Sequence, residues 1–471
     1  MPRNYLVVVL PGIGGSVLAP DAVSPPIWQA SLPNVPNILR DPQRLSLGEH
    51  EFLEPVGLVR TRKIFGVWTP IVGYDTLLQN LAALPGVRAV DDGVPQHRRL
   101  DAEVVAIPYD FRRSITEAAE RVEREISQRT AVLWPEDSRS DPPPRIIFVA
   151  HSMGGLVARY WASQADNMRR CRALITLGTP HRGAPKALDI LANGVSVMGR
   201  RIRRPIEVLR EWPGVAELLP QYRTIIDASP GRREQALYPS ELPLPWLEPI
   251  ATKAAKVHRA INEAWSAPRQ WPDMNARIGF DHGTLRRCVW DGATLQTTED
   301  APGIADLNLW DLDMGDGTVP AFSALPAEQD FVSVLPLRTP ARHGDIVNLA
   351  EVFDLIESYE GHRPPSAFHG AQRAVGLGLD VEELALAGHR IEIAVRVANS
   401  EADVCAVAVW AEFADDAVRL DWDSDREVFT GLLPASVAGL HEVKVSAEAV
   451  PGSGDLNAAQ LVEVVEDDGL E

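Results

Sequence analysis

The chain has 471 residues, 45% of them hydrophobic and 24% charged, and a formal net charge of −19 at pH 7. At roughly 100 to 200 residues per domain this length holds more than one core. The acidic balance excludes a general nucleic-acid binder and adsorption of the whole surface to anionic membrane, since both partners are themselves negative.

No apolar stretch approaches the roughly 18 to 20 residues that a spanning helix needs. The short apolar run near the N-terminus reads as a core strand and not as a secretory leader. Cys171, Cys288 and Cys405 lie far apart without C-x-x-C spacing, so neither a metal knuckle nor a disulfide framework is indicated. The expectation is a cytoplasmic protein with no metal and no cofactor.

In chain order, LVVVL (6–10) is a continuous apolar run of the kind that parallel strands buried on both faces show. It runs into PGIGG, where Gly12, Gly14 and Gly15 free the backbone to approach a negative ligand. A dinucleotide fingerprint would need glycine at position 17, where Val17 stands, and no strand ending in an acidic residue follows about twenty residues on. EVVAIPYDF (103–111), RIIFVA (145–150) and RALITLG (172–178) are further strands. TEAAERVEREISQR (116–129) and LVARYWASQ (156–164) have the apolar spacing of helices. This alternation predicts an α/β layer architecture.

Residues 183 to about 310 break the rhythm with basic, Pro-rich and Trp-rich segments, and are expected to form a cap or lid inserted at about 186–310. VNLAEVFDLIESY (347–359) closes the first unit, residues 1–360, and GHRPPSAFHGAQ falls in a linker at 361–375. Residues 376–471 alternate apolar and polar residues at period two between turns, as in HRIEIAVRV, CAVAVWAEF and HEVKVSAEAV. That pattern predicts a β-sandwich, with an immunoglobulin-like fold as the candidate.

The chemically informative stretch is RIIFVAHSMGGLVARYW (145–161), a strand running through Ala-His-Ser-Met-Gly into a helix. This is the setting of a nucleophile elbow, whose tight turn lifts a serine Oγ off the sheet. Small residues are needed two places to either side of Ser152, and Ala150 and Gly154 supply them. A serine also needs a histidine base and an orienting carboxylate, which follow it in this fold in the order acid, then histidine. Asp316, in the glycine turn of DLDMGDGTVP, is the candidate acid, with Asp311 and Asp313 as rivals. His343, in ARHGD before the last helix of the unit, is the candidate base. His181 fits that order badly; His362 and His369 fall in the linker, and His389 and His441 in the β-region. His151, beside the serine, points elsewhere and takes a structural role.

Four separated stretches, VVVLPGIGGSVL, GYDTLLQNLAAL leading into EVVAIPYDFR, FVAHSMGGLVARYW, and GDGTVP before RHGD, together resemble the lecithin:cholesterol acyltransferase family of α/β-hydrolases. The resemblance covers roughly residues 4–360. It implies an α/β-hydrolase core with Ser152 as nucleophile, Asp316 as acid and His343 as base. It also implies that the backbone N–H groups of Ile13 and Met153 form the oxyanion hole, and that Asp110 and Arg112 hold family positions, which a buried ion pair explains equally well. The family's secreted members carry disulfides and a leader that are not read here, and the cap does not align with theirs.

The expected function is a serine-dependent lipid acyl hydrolase or acyltransferase acting through an acyl-enzyme on a lipid or other ester. The alternatives are an inert hydrolase-fold scaffold whose β-domain binds a protein partner, and an effector that degrades membrane lipid. KIFGVWTPIV (63–72) and the Arg200 to Trp212 segment are candidates for peripheral membrane contact.

Overall fold

In the computed structural model of the protein, the described residues are 4–29, 38, 40–48, 52–59, 73–135, 145–197, 200–267, 272–300, 314–329, 338–359, 375–381, 384–398, 403–413, 416–434, 437–451 and 453–465. A seven-stranded sheet organises the first part of the chain. Its strands are β1 (Leu6–Leu10), β2 (Val90–Asp91), β3 (Val104–Ala106), β4 (Ile146–His151), β5 (Cys171–Leu177), β6 (Asp273–Gly279) and β7 (Arg338–Thr339). They lie in the order β7-β6-β5-β4-β1-β3-β2, every pairing parallel.

Side chains of a strand alternate between faces, and here each face is dry. Val7 and Val9 pack with Val104, Ile147 and Ile175 under α1 (Asp75–Ala82) and the helix Ala350–Tyr359. Leu6, Val8 and Leu10 pack with Val105, Phe148 and Leu174 under α2 (Ile115–Leu133) and α3 (Met153–Ser163). In α2 the buried positions Ile115, Ala118, Ala119, Val122 and Ile126 recur at three- and four-residue spacing, and the Ser114 hydroxyl caps the helix by accepting the Thr116 N–H at 3.2 Å. The expected strand at 103–111 is shorter, because Pro108 cannot donate to a ladder and the chain leaves the sheet after Ala106.

The chain returns to the central sheet at β6, inside the span 186–310 expected for the cap. The stretches that precede and follow this strand include a helix, Leu247–Ser266, and a small sheet made of Ile225–Asp227, Gln235–Leu237, Arg287–Trp290 and Leu295–Thr298. Trp212, Trp265 and Trp290 are buried in the same core as α3. Trp212 donates its indole N–H to the Leu45 carbonyl at 3.0 Å, so this tryptophan of the candidate membrane segment faces inward. The stretch 63–72, residues 361–374 of the expected linker, Asp311, Asp313, His362 and His369 lie outside the described residues.

The C-terminal part is β-rich. Four strands and five strands form two sheets that share one apolar core containing Leu379, Ile393, Phe413, Phe429 and Val445. Their pairings are antiparallel except that of Leu384–Leu386 with Gly454–Val465, which is parallel. The period-two runs in the sequence correspond to strands such as Ile391–Ala398, Ala408–Phe413 and Gly439–Val450.

Candidate active site

The site sits where β1, β4 and β5 end. Ser152 follows β4 and precedes α3 with φ 52° and ψ −123°. A non-glycine residue held at positive φ stores roughly 1–3 kcal/mol, and such strain persists only where its surroundings enforce it. Here the Ser152 N–H is tied to the Leu177 carbonyl at 2.9 Å and its carbonyl accepts the Gly155 N–H at 3.0 Å. The need for a small residue at Gly154 is visible, since a Cβ there would stand 2.6 Å from the Pro11 carbonyl oxygen.

Three elements distant in sequence bring the expected residues together. His343 Nε2 lies 3.0 Å from Ser152 Oγ, and His343 Nδ1 lies 2.7 Å from Asp316 Oδ2. Asp316 Oδ1 accepts the backbone N–H groups of Thr318 and Val319, at 3.0 and 2.7 Å, and the His343 N–H donates to the Asp316 carbonyl at 2.9 Å. Burial alone would raise the Asp316 carboxyl. The charge and hydrogen bond of His343, with the Val319 and Thr318 amides, outweigh it, and the net direction is downward. All three residues are buried.

Gly178, just past β5, has φ 57°, and a Cβ there would lie 2.7 Å from Asp316 Oδ2 and 3.0 Å from His343 Nδ1. Glycine is therefore what lets the acid and the imidazole meet above the sheet. Among the described residues, neither the Ile13 N–H nor the Met153 N–H meets a protein acceptor. Met153 is the first residue of α3, where helix geometry leaves amides unused. A cavity of about 20 Å³, room for roughly one water, lies over Ser152 and His343 and is walled by Ile13, Pro180, Ala184, Leu218 and Val319.

The histidines left open by the sequence take other places. His181 contacts Thr176 Oγ1 through Nε2 at 3.1 Å and Arg159 through Nδ1 at 3.4 Å, and burial with the Arg159 and Arg182 charges drives its pKa well down. His389 and His441 belong to the C-terminal β-region and donate locally to the Ala387 and Val437 carbonyls. Asp110 and Arg112 form a bidentate buried pair at 2.9 and 2.7 Å. Residues the sequence reading did not single out are Tyr74, which touches His151, and His282, which braces the Asp316 turn.

A family model described as "PGAP1-like alpha/beta domain" matches residues 111–198, the stretch that holds the Ser152 elbow. This places the core in the α/β-hydrolase superfamily. The match does not fall on the lecithin:cholesterol acyltransferase family that the motifs resemble, and it leaves most of the chain uncovered. No curated protein matches. Among solved structures, the PKD domain from human VPS10 domain-containing receptor SorCS2 is 19% identical over 21% of this chain and 82% of its own, with a TM-score of 0.15. An engineered protein is 11% identical over 73% of this chain and 52% of its own, with a TM-score of 0.17. The endo-beta-1,4-mannanase from Thermotoga petrophila is 10% identical over 74% and 72%, with a TM-score of 0.18.

Proposed function

We propose that the protein is a serine-dependent lipid acyl hydrolase or O-acyltransferase that works through an acyl-enzyme on Ser152. The observation that carries this reading is the continuous hydrogen-bonded chain from Ser152 through His343 to Asp316, set beside two amides that meet no protein acceptor among the described residues. His343 Nε2 takes the Ser152 proton as Oγ attacks the ester carbonyl, and Asp316 holds the resulting imidazolium in place. The N–H groups of Ile13 and Met153 receive the alkoxide, each such donor being worth about 3 kcal/mol. His343 then protonates the leaving alcohol, and water or an acceptor alcohol attacks the acyl-enzyme with the same histidine as base.

The small cavity over Ser152 is walled by Ile13, Pro180, Ala184, Leu218 and Val319 together with Thr318, a mostly apolar surround for an ester carbonyl. The motif order from PGIGG to RHGD favours the lecithin:cholesterol acyltransferase branch of the superfamily. We read residues 1–360 as the hydrolase domain, with its cap between about 186 and 310, and residues 376–471 as an immunoglobulin-like sandwich suited to a protein partner.

A panel of phospholipid, acylglycerol and sterol esters, with and without acceptor alcohols, tests the reading. Release of fatty acid or its transfer by the wild-type protein, lost in Ser152→Ala, is the expected result. Turnover retained by purified Ser152→Ala, or none by the wild type on any ester, contradicts it.

A further inference from the structure

Beside the nucleophile, His151 is buried and borders the small cavity that lies over Ser152 and His343. Its Nε2 lies 2.8 Å from the His343 carbonyl oxygen, and its Nδ1 lies 2.8 Å from Tyr74 Oη. A carbonyl only accepts, so Nε2 carries the proton. Burial, and then the neighbouring His343 imidazole, press the His151 pKa down to about 3, which keeps the ring neutral and leaves Nδ1 a bare lone pair. That lone pair accepts the Tyr74 O–H, and the Tyr74 oxygen is then free to accept the Gly12 N–H at 2.8 Å. Every donor and acceptor in the chain has one direction: Gly12 N–H to Tyr74, Tyr74 O–H to His151, His151 N–H to His343.

The chain joins the two parts of the site that must stay in register. One end is the Pro11–Gly12 peptide, whose N–H is held by Tyr74 and whose carbonyl accepts the hydroxyl of a second buried tyrosine, Tyr109, at 2.6 Å. The next amide along is Ile13, the candidate oxyanion donor. The other end is the backbone of the candidate base, whose ring reaches Ser152. His151 is covalently adjacent to that serine. Oxyanion donor, nucleophile and base are thus tied by one set of buried hydrogen bonds.

We propose that Tyr74 and His151 are a positioning pair that sets the Ile13 N–H and the His343 imidazole in register around Ser152. This rests on the acyl-transfer reading of the site and extends it to two residues that take no proton in the reaction. Placing reacting groups is worth orders of magnitude in rate, and small displacements of a donor or base forfeit much of it.

The test is steady-state hydrolysis of a short p-nitrophenyl acyl ester by the full-length protein and four variants. Tyr74→Phe deletes one buried oxygen and keeps the ring. It is expected to lower kcat about 10- to 100-fold with KM within about threefold. His151→Ala is expected to cost at least as much, and His151→Gln, whose amide N–H can reach the His343 carbonyl, to recover part of the loss. The double variant Tyr74→Phe/His151→Ala is expected to be no slower than the worse single one, because both break one chain. Thermal unfolding of each variant is measured beside the kinetics. An active wild type whose Tyr74→Phe variant keeps its kcat below its unfolding temperature overturns the proposal alone, as does full additivity of the double variant. A wild type that cleaves no ester overturns the acyl-transfer reading, and this proposal with it.

Discussion

At the scale of single residues, the site depends on atoms that pair in one direction. Asp316 uses both carboxylate oxygens, one on His343 Nδ1 and one on two backbone amides. Asp316→Asn keeps the shape but presents an amide that can offer the imidazole an N–H, favouring the wrong tautomer, and is expected to slow ester cleavage about 10⁴-fold. A rate within tenfold of wild type would show that the carboxylate is idle. Gly178→Ala adds a methyl between Asp316 and His343 at a backbone angle that costs a non-glycine residue roughly 1–2 kcal/mol. Loss of activity with modest loss of stability is expected, read by ester cleavage and thermal unfolding on the same sample. The meeting of Ser152, Asp316 and His343 follows the expectation from the sequence, where each sits in a short stretch of distinctive local chemistry. Tyr74 was not legible there, because nothing in GYDTLLQNL announces that its hydroxyl reaches a loop 62 residues earlier. His151 was read as structural from its place beside the serine, yet its partners, Tyr74 and the His343 backbone, come from far along the chain.

Among the elements, the contact between the Glu217 loop and the start of α2 carries a titratable group. Glu217, beside the pocket residue Leu218, accepts the Ile115 N–H and the Ser114 hydroxyl, both at 2.6 Å, at the start of α2. Burial pushes its pKa up to about 7, against the pull of those two hydrogen bonds. A carboxyl whose pKa is higher folded than unfolded binds its proton more tightly when folded. Its contribution is complete below pH 4.5 and is lost as pH rises through about 7. Each pH unit in that window is worth up to about 1.4 kcal/mol. Glu217→Gln is therefore expected to match the wild type near pH 5 and to be the more stable protein at pH 8, as read by denaturant unfolding at the two pH values. A variant equally destabilised at both would contradict this. Strands and helices of the core were legible from unbroken apolar runs and helical spacing. The return of the chain at β6 was not, because Asp273–Gly279 reads DMNARIG, where Asn275 bonds Tyr359 and the buried Arg277 stands in place of an aliphatic residue.

For the molecule as a whole, the C-terminal β-region touches the loops that hold the acid and the base. His282 Nε2 donates to the Pro340 carbonyl at 2.7 Å, which leaves Nδ1 to accept the Leu379 N–H at 3.2 Å from the strand Gly376–Val381. The His282 N–H donates to the Gly315 carbonyl, next to Asp316, and Arg342, next to His343, donates to the Leu379 carbonyl. Both backbone polar groups of Leu379 are thus held by side chains next to the loops of the site. His282→Ala leaves the Leu379 N–H and the Pro340 carbonyl unpaired in a buried place, at about 1–3 kcal/mol for each. It is expected to separate the unfolding of the two parts in calorimetry and to lower activity, whereas one unchanged transition with full activity would show that the contact is incidental. The period-two pattern made the β-region legible as a separate layer of structure. Its seat against the Asp316 turn was not, because a docking contact made by one histidine leaves no periodic trace.

Whether Ser152 is an activated nucleophile is read most directly by covalent labelling. A fluorophosphonate probe is added to the folded protein and the adduct is located by peptide mass spectrometry. A single adduct on Ser152 is expected, absent from Ser152→Ala and strongly slowed in Asp316→Asn. A folded wild-type protein left unlabelled, or labelled equally well in Ser152→Ala, would contradict it.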